Sequence, residues 1–189
     1  HRKLLGTSFV EMSIYFTFGV FETYLPILLS SQGHPAYMIG MIFSLQVLSI
    51  ALSKPFFGKL SDSTDRRVQI IAGMAVLGLG AAAIPFFTNS YVIIGLSIIF
   101  GLGMSLATVA TSTYVADVAH RDSLGSAMGA LSAIMDIGHS SGPFIAGVII
   151  SASGAVGHTD GYQHGFLACL AVCAISTSFF SVCVFNGKK

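Results

Sequence analysis

The sequence predicts an all-α membrane protein, a bundle of six transmembrane helices with both termini in the cytoplasm. Three observations predict it. Six apolar stretches near residues 5–30, 37–57, 68–87, 92–114, 124–151 and 165–185 each approach or exceed the ~20 residues that cross a bilayer. Charged residues make up only 9% of the chain and mean hydropathy is +0.80, against about 25% charge in soluble domains. All nine Lys and Arg fall in or beside alternate gaps: Arg2 and Lys3 ahead of the first stretch, Lys54, Lys59, Arg66 and Arg67 around the gap between the second and third, Arg121 between the fourth and fifth, Lys188 and Lys189 after the sixth. The gaps near 32–37, 88–91 and 153–163 have none. Cations on one side of the membrane mark that side as cytoplasmic.

Each element has its own warrant. The first stretch starts after His1-Arg2-Lys3 and superficially imitates a secretory signal. It is too long for one, carries Glu11 and Glu22, and leads into five further spans. The second and third are separated by the charged segment 58–67, and the third and fourth by a short polar turn. The fifth alternates small residues with ionisable ones. The sixth holds all three cysteines, Cys169, Cys173 and Cys183. An odd number within one span is no disulfide framework, and they read as small packing residues.

Composition also excludes. Nine cations in separated clusters form no stripe for nucleic acid. There is no metal-ligand cluster, and no cofactor is expected. Small residues recur at helix-packing spacing, Gly125 with Gly129 and Gly138 with Gly142, followed by Gly147. Between membrane helices, close backbone contact at such positions supplies the packing that water supplies elsewhere.

Two motifs carry a resemblance. The segment Gly58-Lys59-Leu60-Ser61-Asp62-Ser63-Thr64-Asp65-Arg66-Arg67 resembles the Gly-x-Leu-x-Asp-Arg-x-Gly-Arg-Arg loop of the major facilitator superfamily. Gly58, Leu60, Asp62, Arg66 and Arg67 match, while Ser63 and Asp65 stand where the pattern has Arg and Gly. The run from Gly138 through Gly142 and Pro143 to Gly147 resembles the Gly-x-x-x-Gly-Pro-x-x-x-Gly pattern of drug–proton antiporter-like members. Ala116-Asp117, Arg121 and Gly125 to Gly129 approximate a further cytoplasmic turn of the same superfamily.

The resemblance spans the chain and implies one six-helix half of a twelve-helix permease, residues 1–189. Two inverted three-helix repeats are expected, about 1–90 and 91–189. The missing initiator Met, the basic lead-in and the stop after Lys189 favour a C-terminal half; the proline motif, in a true antiporter, speaks for an N-terminal one. The implied function is alternating-access transport of a small solute across a plasma or inner membrane, with protons as a possible second partner and the other half as completing partner. The alternatives are an intramembrane enzyme and a non-transporting receptor or assembly subunit.

Ionisable residues at depth are the site candidates, because a charge inside a bilayer needs a cavity or a partner. At ~1.5 Å per residue, Glu11 lies about one turn from the cytoplasmic face, Glu22 about two-thirds of the way outward and Asp136 near the midplane. Lys54 shares the depth of Glu11, so the two are candidates for a structural ion pair. Asp136 and His139 share a helix face and are candidates for proton coupling; alternatively Asp136 joins hydroxyls such as Thr108, Thr111 or Ser112. Glu22, Tyr24 and Gln46 are further cavity candidates. The resemblance gives Gly58, Asp62, Arg66 and Arg67 a gating role and makes Gly138, Gly142, Pro143 and Gly147 a bend.

Overall fold

The computed structural model describes residues 2–119, 124–153 and 159–185. Among them are six helices long and apolar enough to span a membrane: α1 (Arg2–Ser31), α2 (Ala36–Ser63), α3 (Arg66–Ala83), α4 (Ser90–Val118), α5 (Leu124–Ala152) and α6 (Thr159–Phe185), with a 3-10 turn, Ile84–Phe86, closing α3. The expected Arg121, Lys188 and Lys189 lie outside the described residues, as does most of the loop before α6.

The connections explain the boundaries. Gly33, at φ 82°, turns the chain between α1 and α2, a conformation open to glycine without steric cost. Asp65 caps α3 by accepting from the Arg67 amide at 2.9 Å, and Asn89 caps α4 through the Tyr91 amide at 2.9 Å. Each satisfies one amide left open by the first helical turn. Helix two, expected to end near residue 57, continues to Ser63. Nothing at Gly58 ends it, and the turn is made by Thr64 and Asp65. The charged segment 58–67 is therefore mostly helix, and Asp65 opens α3.

α1 packs between α5 and α6, α4 packs between α2 and α3, and α3 leans on α6. α1 and α4 meet at the centre, where the Phe21 and Phe100 rings stack at 4.2 Å. Both rings are fully buried. α2 and α5 lie at the periphery and leave apolar side chains such as Leu52, Phe56, Phe144 and Val148 more than half exposed.

Small residues set the helix separations. A Cβ at Gly138 would collide with the Met12 carbonyl, one at Gly142 with the Phe16 carbonyl, and one at Gly19 with the His139 carbonyl. α1 and α5 therefore touch backbone to backbone. Gly73 against Ala107 and Gly103 against Leu77 do the same for α3 and α4. Gly125 and Gly129, the other expected packing pair, face open space. Among the described residues, that end of α5 does not use them for contact.

The register of α1 on α5 is repeated by α4 on α2. Gly19 sits over the His139 carbonyl and Pro143, while Gly101 sits over the Gln46 carbonyl and Ile50. The Phe16 carbonyl covers Gly142, and the Ile98 carbonyl accepts from Ser49 Oγ at 3.4 Å. The Pro143 carbonyl accepts from Tyr24 Oη at 2.8 Å, and the Ile50 carbonyl from Ser105 Oγ at 3.4 Å.

Gly142→Val should force α1 and α5 apart and destabilise the protein by roughly 1–3 kcal/mol, the usual cost of overpacking. Gly95→Ala, a substitution into open space within α4, should not destabilise the protein and should raise its stability by up to about 1 kcal/mol. Thermal unfolding of the two variants in detergent compares them directly.

Candidate functional site

Polar residues gather on one face of this apolar bundle. Along α1, Glu11, Tyr15, Phe18 and Glu22 follow at spacings of four, three and four, which keeps them on one stripe. At one end of the stripe a cleft of about 370 Å³ is lined by Glu11, Tyr15, Lys54, Thr108, Ser112 and Met135, among others. α1, α2, α4 and α5 all contribute to it.

Glu11 is 1% exposed, and its carboxyl meets Thr111 Oγ1 at 2.5 Å. The expected ion pair with Lys54 is not formed within 4 Å, although both groups border the cleft. The reason lies in the packing. α2 leans on α4 and scarcely touches α1, so equal depth does not bring the two side chains together.

The second sequence-derived pair also divides. His139 Nε2 lies 3.4 Å from Glu22 Oε2, and its ring packs 5.5 Å from the Phe18 ring. It faces α1. Asp136 lies instead in a shallow, open depression of about 620 Å³ with Ile137, Ser140, Ser141 and Phe144, and forms no ion pair among the described residues. The hydroxyl network proposed for Asp136 belongs elsewhere: Thr111 meets Glu11, and Thr108 donates to the Met104 carbonyl of its own helix at 2.8 Å.

The glycine and proline run of α5 positions this face. Pro143 has no amide to give the His139 carbonyl four residues earlier. Gly19 of α1 closes on that carbonyl so tightly that a Cβ would collide with it. Tyr24 donates to the Pro143 carbonyl and its hydroxyl covers Gly147, so it clamps α5 rather than lining an open cavity. α5 runs unbroken through the proline. Gln46 is fully buried, and neither polar atom of its amide has a hydrogen-bond partner.

At the end of the bundle where α2 meets α3, Arg66 forms an ion pair with Asp117 near the end of α4 and lies 3.4 Å from the Thr113 carbonyl. Ser61 Oγ and Thr113 Oγ1 are 3.0 Å apart. Arg67 lies 3.9 Å from Asp65. Asp62 is exposed on the last turn of α2 and takes part in none of these pairs. Gly58 meets nothing within 4 Å.

The family model of the Major Facilitator Superfamily matches residues 7–188. The chain belongs to this superfamily. It is 28% identical over 93% of its length to a multi-drug resistance efflux pump PmrA homolog of Lactococcus lactis, of which it covers 42%. Over 69% of its length it is 29% identical to the multi-drug resistance efflux pump PmrA of Streptococcus pneumoniae, of which it covers 34%. It is 26% identical over 71% of its length to the chromaffin granule amine transporter of Homo sapiens, of which it covers 26%. The chain thus spans less than half the length of these relatives.

As a superfamily member the chain is a multi-pass membrane protein of a transporter family, not an enzyme. Its six helices make a half-length superfamily domain. Three residues that matter to the site carried little signal in the sequence. Thr111 is one of several hydroxyls on α4, Asp117 stood only within an approximate turn motif, and Gly19 lies in a helix with no glycine pattern. Each acquires its role from a neighbour distant along the chain.

The contact between α2 and α4 is directly testable. In a cysteine-free background, Ser61→Cys with Thr113→Cys should cross-link rapidly on mild oxidation, while Asp62→Cys with Thr113→Cys should not. Equal cross-linking of both pairs would contradict the placement of Asp62 away from α4.

Proposed function

We propose that the chain forms one six-helix half of a secondary transporter, with both termini cytoplasmic, and that a second half completes the central path. The observation that carries this reading is the polar face: Glu11, Glu22, Lys54, Asp136 and His139 on a bundle otherwise built of apolar side chains. Ionisable groups at membrane depth need a cavity or a partner, and a facing half would enclose them. The exposed apolar sides of α2 and α5 flank that face and suit the same partner. The repeated register of α1 on α5 and α4 on α2 supports two inverted three-helix repeats, the geometry in which alternating access proceeds by rocking of packed units.

The solute we propose is a lipophilic cation moved outward across a cell membrane. Two exposed carboxylates on the face, Glu22 and Asp136, outnumber its single lysine, and Tyr15, Phe18 and Phe144 supply aromatic surface beside them. Carboxylate with aromatic surface attracts organic cations. The efflux pumps and the amine transporter among the relatives support the same class. Protons are the coupling ion in this reading, held at Asp136 and at the Glu22–His139 contact, since imidazole exchanges protons near neutral pH. The Arg66–Asp117 end acts as a gate, holding α3 and α4 together on the cytoplasmic side.

Two experiments test the reading. A cysteine at Ser31 should react with an impermeant thiol reagent from outside, and one at Ser63 should not; the reverse pattern refutes the orientation. In liposomes holding the full-length protein, an imposed pH difference should drive uphill ethidium movement. Asp136→Asn should abolish that movement yet keep downhill exchange, and His139→Gln should shift the pH optimum more than the maximal rate. Binding of ethidium without any movement would favour a receptor instead.

A further inference from the structure

Gln46 stands in α2 where His139 stands in α5. Gly101 of α4 sits over the Gln46 carbonyl as Gly19 of α1 sits over that of His139. The same register places Met104 where α1 has Glu22, and Ser97 where α1 has Tyr15. His139 finds the Glu22 carboxylate at 3.4 Å. For Gln46 the corresponding position is apolar, and a small hydroxyl stands where the equivalent residue of α1 carries a phenol ring.

Polar atoms are left without protein partners as a result. Gln46 is fully buried, and neither Oε1 nor Nε2 makes a hydrogen bond. Ser97 is equally buried, and its Oγ makes none. Other helix serines, among them Ser13, Ser44 and Ser53, return their hydroxyl hydrogen to a carbonyl three or four residues back. An orphaned amide inside a membrane bundle is costly.

Both groups belong to one contact. α2 packs on α4 and scarcely on α1, so a fully buried α2 side chain is covered chiefly by α4. The two helices run parallel, with Gln46 level with Gly101 and Ser61 with Thr113. A long helical side chain leans over the turn before its own Cα, which carries the Gln46 amide back from the Gly101 level. One turn back on α4, on the side Gly101 presents to α2, is Ser97. Gln69 of α3 and Ser176 of α6 also lack partners. Gly78 is level with Cys173, however, which sets those two about 9 Å apart along their helices.

We propose that Gln46 and Ser97 form a binding site for a buried water molecule between α2 and α4. The water donates to Gln46 Oε1 and accepts from Nε2 or from Ser97 Oγ, bridging two groups that do not bond to each other. Buried waters are held by two to four polar partners of this kind, and such a bridge is nearly as favourable as a direct hydrogen bond. α1 and α5 are thus joined by direct contacts alone, α2 and α4 through a bound water as well. The site stands independently of any reading of transport.

The test is solid-state NMR of the full-length protein in liposomes of perdeuterated phosphatidylcholine, with isotope-labelled glutamine side-chain nitrogen. Magnetisation started on water protons should reach the Gln46 amide, whose signal Gln46→Leu assigns by removing it. Ser97→Val should abolish the transfer while the amide signal remains. The same variant should lower the midpoint of thermal unfolding in detergent by roughly 2–4 °C, because the amide then has no partner. Adding Gln46→Leu should recover that loss, since two apolar groups leave nothing unsatisfied. A dry contact gives the opposite sign, with Ser97→Val filling space and raising the midpoint. If Ser97→Val does not fold, Ser97→Ala adds no bulk and should weaken the transfer. Absence of transfer to the Gln46 amide in the unaltered protein overturns the proposal, and so does transfer that neither change at Ser97 reduces.

Discussion

The backbone contact between α1 and α5 is the constraint on which the polar face depends. Inside a bilayer there is no hydrophobic drive to hold helices together, so separation is set by how closely two backbones can approach. Gly19, Gly138 and Gly142 allow α1 and α5 to meet at carbonyl level. That closeness brings Glu22 to His139 and lets Tyr24 reach the Pro143 carbonyl. A spacing one side chain wider would part His139 from Glu22 and draw the Tyr24 hydroxyl away from the Pro143 carbonyl.

The same economy of polar groups governs the opposite pair. α4 presents Gly101 and Ser105 to α2, and α2 answers with Ser49 and the Ile50 carbonyl. Ser49 and Ser105 serve backbone carbonyls, while Ser61 and Thr113 meet hydroxyl to hydroxyl. A half-satisfied carbonyl in hydrocarbon is costly, and these contacts relieve it without placing a charge in the membrane. Charge is confined to one face and to the ends of the helices.

How much of this was legible in the sequence follows from what a sequence encodes. The six spans were readable because apolar length is a local property, and the end missed at α2 reflects a cap, Thr64, that lies seven residues past the apolar run. The superfamily was readable from the segment 58–67 and the glycine–proline run. Partners were less so. Depth along the membrane normal placed Glu11 beside Lys54, but it cannot tell which helices are neighbours, and α2 turned out to lean on α4. Helical spacing put Asp136 and His139 on one face, yet a three-residue step turns a side chain about a sixth of the way round, enough to point His139 at α1 and leave Asp136 in the open depression. Gly125 with Gly129 matched the packing pattern and meets nothing, because a pattern names a surface and not what covers it.

The link between α2 and α3 consists of Thr64 and Asp65 alone. So short a link has no slack, and Asp65 is further engaged as the cap of α3. With Ser61 held to Thr113 and Arg66 to Asp117, three helix ends are joined through one small knot. A tilt of α2 cannot be absorbed at that knot as it would be in a long loop; it is passed to α3 and α4 as a rotation. The segment has the form of an elbow, joining the outer helix α2 to α4, which lines the Glu11 cleft together with α1, α2 and α5.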